Sequence, residues 1–278
     1  MSITIGLQLA PQYGDMKDMR RAWMEAEALG ADVLYSSDHF NAMVLDEDQA
    51  NRTTRGEEYG KITRGKNFEG TTIQAAMAAT TTRPRIGAIV HANSYRNPNL
   101  MADIARTIDH ISGGRFILGM GTGYLKEDYE DYGYPFGTQT ERSLAFARDI
   151  PIIKARFAKL NPPPLGKIPL LIASMGPIGM RVAAEHADMW HVYGPIDKIR
   201  EKKEAFLHCC KEFGRDQSDV ELVTYYFPQM MGGKDADPAI YPEIGIRHIV
   251  LVTQGPTWDL GQLREMLAWR KSFLASSR

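Results

Sequence analysis

Eight short runs rich in β-branched and aliphatic residues alternate with helical stretches from one end of this chain to the other. That alternation constrains the fold more than any other feature of the sequence. The runs are Ile3 to Leu9, Asp32 to Ser36, Ile86 to His91, Arg115 to Met120, Pro169 to Ala173, Asp188 to Tyr193, Glu221 to Tyr225 and Arg247 to Thr253. Most begin about 30 residues apart, the length that a strand–helix–strand unit needs. Eight such units predict an α/β fold of the (β/α)8 barrel kind, whereas a six-stranded open sheet leaves two runs unused. In the first helical stretch, Met19, Ala22, Trp23 and Ala26 share one face, and Gly30 stands where a C-cap glycine would.

Two intervals are each longer by roughly 25 residues than the unit requires. They place insertions after the second strand (about Phe40–Gly70) and after the fourth (Thr122–Gln139). Both fall on strand-to-helix connections, which line the catalytic face of a barrel, so the architecture points to an enzyme before any motif is read. The proline-rich segment 161–169 is too short to divide the chain, and residues 1–278 are expected to form a single domain.

A formal charge of −1, from 33 basic and 34 acidic residues, provides no field to hold nucleic acid. Cys209 and Cys210 are adjacent in a helical stretch, where side chains diverge by about 100°. Reduced thiols are expected, in keeping with a cytoplasmic location. The first residues lack a basic segment followed by an apolar core, and no apolar run approaches the ~18 residues of a membrane span.

Candidate chemistry gathers at the ends of the strands. Asp38 and His39 follow the second strand, where barrel side chains project into the mouth and an imidazole can exchange protons near neutrality. His91 and Asn93 end the third, positioned to hydrogen-bond a flat heterocycle, and Asn97-Pro98 opens the next helix. Gly119, Gly121 and Gly123 follow the fourth. Tyr124 stands where a dinucleotide fingerprint needs its last glycine, so these glycines are expected instead to let a planar ligand approach the backbone. After the fifth strand, Ser174 is the expected N-cap of a helix with Gly176 and Pro177 at its start, a candidate anion site. Residues 253–258, after the eighth strand, are its rival. A metal hydrolase built on Asp38, His39, His91 and His191 lacks an HxH pair on the first strand, and no GxSxG marks a serine hydrolase.

The segments SDHF at 37–40, the stretch 68–124 with RNP, then DHISGGR, then LGMGTGY, and ADMWHVYG at 187–194 together resemble the luciferase-like monooxygenase superfamily. More narrowly, they resemble its branch of oxidoreductases dependent on the deazaflavin coenzyme F420. The resemblance runs from about residue 3 to about residue 270 and implies a (β/α)8 barrel holding F420, or FMN in other branches, at the C-terminal face. It implies a non-proline cis peptide near Ile89-Val90 under the ring. It assigns the cofactor phosphate to Ser174, Met175 and Gly176, and ring positioning and proton transfer to Asp38 and His39. Ile89, Val90, His91 and Asn93 complete the implied cofactor contacts.

Tyr124 stands where some relatives carry a glutamate, with Glu127 and Asp128 further on, so a sugar-phosphate dehydrogenase mechanism does not carry over and the acid or base is His39 or Tyr124. Trp190, Tyr193 and Tyr225 are candidate walls of the pocket. Arg52, Arg55, Lys61, Arg64 and Lys66 are candidates for the anionic tail of the deazaflavin. The expected partner is a small organic substrate, with no nucleic acid, membrane or metal, and the resemblance allows for a homodimer. The competing readings are an FMN-dependent monooxygenase using oxygen and a flavin-binding barrel without turnover.

Overall fold

The computed structural model describes residues 2–43, 62–63, 65–228 and 237–276. The strands are β1 (Thr4–Ala10), β2 (Val33–Ser36), β3 (Ala42–Met43), β4 (Ile62–Thr63), β5 (Arg85–Ala88), β6 (His91–Ala92), β7 (Phe116–Gly121), β8 (Leu170–Ile172), β9 (Met189–His191), β10 (Glu221–Tyr225) and β11 (His248–Gln254). Parallel pairing runs β5–β2–β1–β11–β10–β9–β8–β7, and β7 pairs back to β5, which closes the ring into a (β/α)8 barrel. The third stave is split into β5 and β6 by a cis peptide at Ile89-Val90, where the family resemblance had put one. All eight expected strands occur within a residue or two of their bounds.

Local chemistry explains the helices. The helix Met16–Leu29 buries Met19, Ala22, Trp23 and Ala26, the face its spacing predicted. Gly30, at φ 104°, turns its N–H back to the carbonyls of Ala26 and Glu27 and ends the helix. Burying a side chain as large as Trp23 contributes roughly 1.5–3 kcal/mol. Asn97 caps the helix Pro98–Ser112 by accepting from the backbone N–H of Asn99 and Leu100, with proline in its first turn. At the far end of that helix, Gly113 and Gly114 both take positive φ. The Arg115 guanidinium then donates to the carbonyls of Ala78, Thr81, Pro84 and Ser112. The DHISGGR turn is thus a lock at the pole opposite the mouth.

The lumen is filled by Val33, Tyr35, Ile117, Leu171, Met189, Val223 and Val250. A polar chain closes its lower end: Tyr35 Oη lies 3.3 Å from His248 Nε2, and His248 Nδ1 lies 2.8 Å from Glu221 Oε1. The first insertion adds a small antiparallel pair, β3 with β4, that the run of parallel units did not foretell. The second carries the short helix Lys126–Asp131. Arg52, Arg55, Lys61 and Arg64 fall outside the described residues, and Lys66 pairs with Asp15. Among the described residues no helix is long and apolar enough to cross a membrane.

Candidate active site

The two insertions meet over one side of the barrel mouth, and a single buried carboxylate joins them. Asp128, fully buried in the helix of the second insertion, accepts five hydrogen bonds. They come from His39 Nδ1 at 2.9 Å, the Phe40 N–H at 3.2 Å, the Asn41 N–H at 2.9 Å, Asn41 Nδ2 at 3.0 Å and the Tyr95 hydroxyl at 2.9 Å. Burial pushes the Asp128 carboxyl upward, but the bonds from His39, Tyr95 and Asn41 outweigh it and hold the group below its ordinary value. On the other face of the imidazole, His39 Nε2 lies 3.1 Å from the Tyr124 hydroxyl. Tyr124 is aimed by Gly123, whose φ of 74° and whose Cα, facing the Tyr129 hydroxyl, leave no space for a side chain.

Asp38 stands beside His39 in sequence but in a different network. Its side chain is 1% exposed and takes both Arg96 nitrogens, at 2.6 and 2.8 Å. Arg96 also bonds Glu69. Burial would raise the Glu69 carboxyl, but bonds from Thr72 and Thr71 prevail and hold it at about 2. The Asp38–Arg96–Glu69 group thus fixes the loop behind His39, and Asp38 faces an arginine rather than the mouth.

Three expectations are corrected by which way the side chains point. His91 is fully buried and faces outward to the helix layer, with Nδ1 2.8 Å from the Gly119 carbonyl and Nε2 3.1 Å from the Gln74 carboxamide. Burial lowers its pKa, and its ring is no contact for a ligand on the rim. Asn93 donates to Asp149 at 2.8 Å, and its buried Oδ1 has no partner. It faces a side cavity of about 510 Å³ shared with Arg142 and Phe136, rather than the ring position expected for it. Trp190 is core and no pocket wall, stacked on Phe206 at 4.1 Å and donating to the Ser174 carbonyl.

The glycines after β7 also serve a different purpose from the one expected. A Cβ at Gly119 would fall 1.9 Å from the Ala88 carbonyl oxygen, and one at Gly121 would fall 2.6 Å from a Val90 methyl. Their smoothness is used up by the third stave, not by a ligand. Ile89 is buried and Val90 half-buried, both packed in the lumen cluster beneath the mouth.

The two candidate anion sites differ sharply. At residues 253–258 the chain fills its own turn. A Cβ on Gly255 would fall 2.5 Å from the Gln12 carbonyl, and the buried Trp258 donates to the Ala10 carbonyl. After β8 the N-cap of the helix Pro177–His186 is Gly176, not Ser174, and no side chain caps it. Nothing approaches the Gly176 Cα, and the half-buried Ser174 hydroxyl rests against Gly179, where any Cβ would fall 1.8 Å from it. Met175 is half-buried alongside. Ile178 and Gly179 present first-turn amides there.

Below this arc, on β9, His191 is 1% exposed, and neither ring nitrogen has a partner. It stands T-shaped to Tyr225 at 4.4 Å and tilted to Tyr193 at 5.5 Å. Burial pushes its pKa down to about 3, helped by His248. Tyr225 donates its hydroxyl to Gln8, and Tyr193 stands 6.0 Å from the Tyr225 ring.

The residues that sequence reasoning missed are Asp128 and Arg96. The available signal was an acid four residues after Tyr124, in the first turn of a helix within an insertion. Among the described residues no three His, Cys, Asp or Glu side chains converge as a metal site requires.

Comparison with known proteins adds names to this geometry. Among curated proteins, the phthiodiolone/phenolphthiodiolone dimycocerosates ketoreductase of Mycobacterium tuberculosis (strain H37Rv) is 29% identical over 228 residues, which is 72% of this chain and 58% of the ketoreductase. The chain therefore spans little more than half the length of that relative. Pyrimidine monooxygenase RutA of Bradyrhizobium sp. (strain BTAi1) is 31% identical over 140 residues, 44% of this chain and 39% of RutA. An F420-dependent secondary alcohol dehydrogenase, solved in complex with an F420-acetone adduct, superposes with a TM-score of 0.77 at 15% identity, covering 97% of this chain and 99% of that one. Long-chain alkane monooxygenase (LadA) superposes at 0.73 and 12% identity, covering 100% and 92%. At such identities the likeness is one of fold. The family model for luciferase-like monooxygenases matches residues 2–236, and the chain belongs to that family.

Proposed function

We propose that this protein is a coenzyme F420-dependent oxidoreductase that transfers hydride between the deazaflavin and a small organic substrate at the C-terminal face of the barrel. The observation that carries the reading is the uncapped helix start at Gly176. The amides of Ile178 and Gly179, the helix dipole and the Ser174 hydroxyl make a cradle for a phosphate. A side chain at Gly179 would fill that cradle. The residues present therefore fit the group, with Ser174, Met175 and Gly176 at its phosphate and Ile89 and Val90 beneath its ring. Bound there, a deazaflavin supplies hydride chemistry with little reactivity toward oxygen, because carbon replaces the flavin N5.

The chain's own part is to hold that group, exclude water from it and move a proton at the substrate's oxygen. His39 and Tyr124 are the groups placed for the proton. Asp38, locked by Arg96, fixes the loop from which His39 projects. The ketoreductase and the secondary alcohol dehydrogenase support a carbonyl–alcohol couple as the substrate class. The monooxygenases among the relatives support a second reading, in which FMN and oxygen replace the deazaflavin.

Titrating the purified protein separately with F420 and with FMN, followed by fluorescence quenching, separates the two. Saturable quenching of F420 with no FMN response is expected. The reverse pattern overturns the assignment. Gly176→Asp, which places a carboxylate at the cradle, is expected to weaken F420 binding at least tenfold, about 1.4 kcal/mol.

A further inference from the structure

We propose that Tyr124, not His39, meets the oxygen of the substrate, that His39 is the proton store behind it, and that Asp128 is the positioning residue that sets the tautomer of His39. The proposal rests on the oxidoreductase reading and deepens it.

An ionised carboxylate only accepts, so the 2.9 Å contact to Asp128 fixes the His39 proton on Nδ1. A neutral imidazole then has a lone pair on Nε2, and the Tyr124 hydroxyl, 3.1 Å away, donates to it. The Met43 sulfur, 3.8 Å from the same hydroxyl, is a weaker acceptor. Both His39 nitrogens are therefore engaged, and its side chain is 18% exposed. Tyr124 is 36% exposed and lies on the solvent side of His39. A substrate oxygen arriving at the mouth reaches the phenol first. Among the described residues His39 is the sole ion-pair partner of Asp128, so the carboxylate faces the ring that gains the charge.

For oxidation of a secondary alcohol the step balances as follows. The substrate O–H proton passes to the Tyr124 oxygen while the Tyr124 proton passes to His39 Nε2. The substrate C–H bond breaks, its hydride leaves with the electron pair to the deazaflavin, and C=O forms. His39 ends as an imidazolium against Asp128, and Tyr124 is neutral before and after. Ketone reduction is the reverse, beginning from the imidazolium. This is the logic of a triad, with a phenol in the outermost place.

The substitution Asp128→Asn tests the positioning role without changing shape. The Oδ1 position accepts three N–H groups, so the amide oxygen takes that place and the NH2 faces His39. The NH2 donates to Nδ1, the proton moves to Nε2, and the acceptor for Tyr124 is lost. In 15N NMR of the cofactor-free wild type, with His39 assigned from a His39→Gln sample, we expect protonation on Nδ1. We expect Asp128→Asn to shift it to Nε2 and Tyr124→Phe to leave it on Nδ1. With F420 bound and 2-propanol as the probe, Tyr124→Phe should lower kcat about 100-fold and Asp128→Asn about 100-fold or more, as wrong-tautomer and lost-donor variants do elsewhere. F420 affinity and the KM for 2-propanol should stay within about threefold in both.

A wild-type spectrum with the proton on Nε2 overturns the positioning role and needs no variant to fold. A Tyr124→Phe enzyme that keeps more than about a third of kcat, while His39→Gln is inactive, puts His39 at the substrate and overturns the order. If the wild type with F420 oxidises no 2-propanol and binds no F420, the functional reading fails and the substrate contact falls with it. The cofactor-free spectrum still decides the tautomer.

Discussion

The mouth of the barrel has two arcs built on opposite plans. Past β2 and β7 the ionisable side chains at the rim already have partners. Asp38 is held by Arg96, His39 lies between Asp128 and Tyr124, and Asp128 accepts five bonds. Past β8 and β9 the hydrogen-bonding capacity is unmet. A helix start has no side-chain cap at Gly176, and His191 has two nitrogens without partners. An arc whose bonds are complete is rigid and ready to move a proton. An arc with unmet donors gains most from a bound molecule, because buried polar groups left unpaired cost free energy that a ligand recovers. The difference divides the labour of the site between chemistry on one side and capture on the other.

The largest expected effect breaks the completed arc. Arg96→Met leaves Asp38 buried without its counter-charge, and urea denaturation should show a loss of roughly 3–5 kcal/mol. A loss below about 1 kcal/mol would mean that this arc is no better fixed than the other.

The next prediction concerns the open arc. His191 is neutral in the folded protein because its pKa lies far below the unfolded value. The unfolded chain takes up the proton first, so its contribution to stability is whole above pH ~6.5 and is lost as pH falls toward about 3. His191→Leu removes that slope. The variant should match or exceed wild-type stability at pH 7.5 and gain about 2 kcal/mol on it at pH 4.5. Equal acid sensitivity in the two proteins would remove His191 from the unmet side of the comparison.

The smallest effect is expected at Gly176→Ala, where φ is −76° and nothing lies within 4 Å of the added methyl. Stability should move by less than about 0.5 kcal/mol. A larger loss in a thermal melt would show that the apparent opening at this cap is already in use by the chain.

The barrel was legible because each stave is announced by its own β-branched run and each helix by its own punctuation. Gly30 and Asn97-Pro98 both act where their chemistry places them. The opening at Gly176 was legible as a helix start, though not as one that lacks a side-chain cap. What the sequence could not convey was direction and distant pairing. His91 and Trp190 lie in strands, where a single step of the pleat decides whether a side chain meets the mouth or the helix layer, and both turn outward, while Asn93 belongs to the short turn after β6. The cis peptide interrupts that alternation within the third stave, so counting from His91 could not settle its side. Asp128 and His39 are 89 positions apart and meet only because residues at the start of one insertion reach a helix of the other. No periodicity encodes that encounter.

The five bonds of Asp128 have a further consequence for how such a barrel acquires new substrates. The start of the insertion at Phe40 and the helix of the insertion at Thr122 are joined at the very carboxylate that orients the imidazole. Remodelling one insertion to admit a bulkier guest therefore strains that joint and disturbs the proton path. Diversification should proceed by paired changes in both insertions.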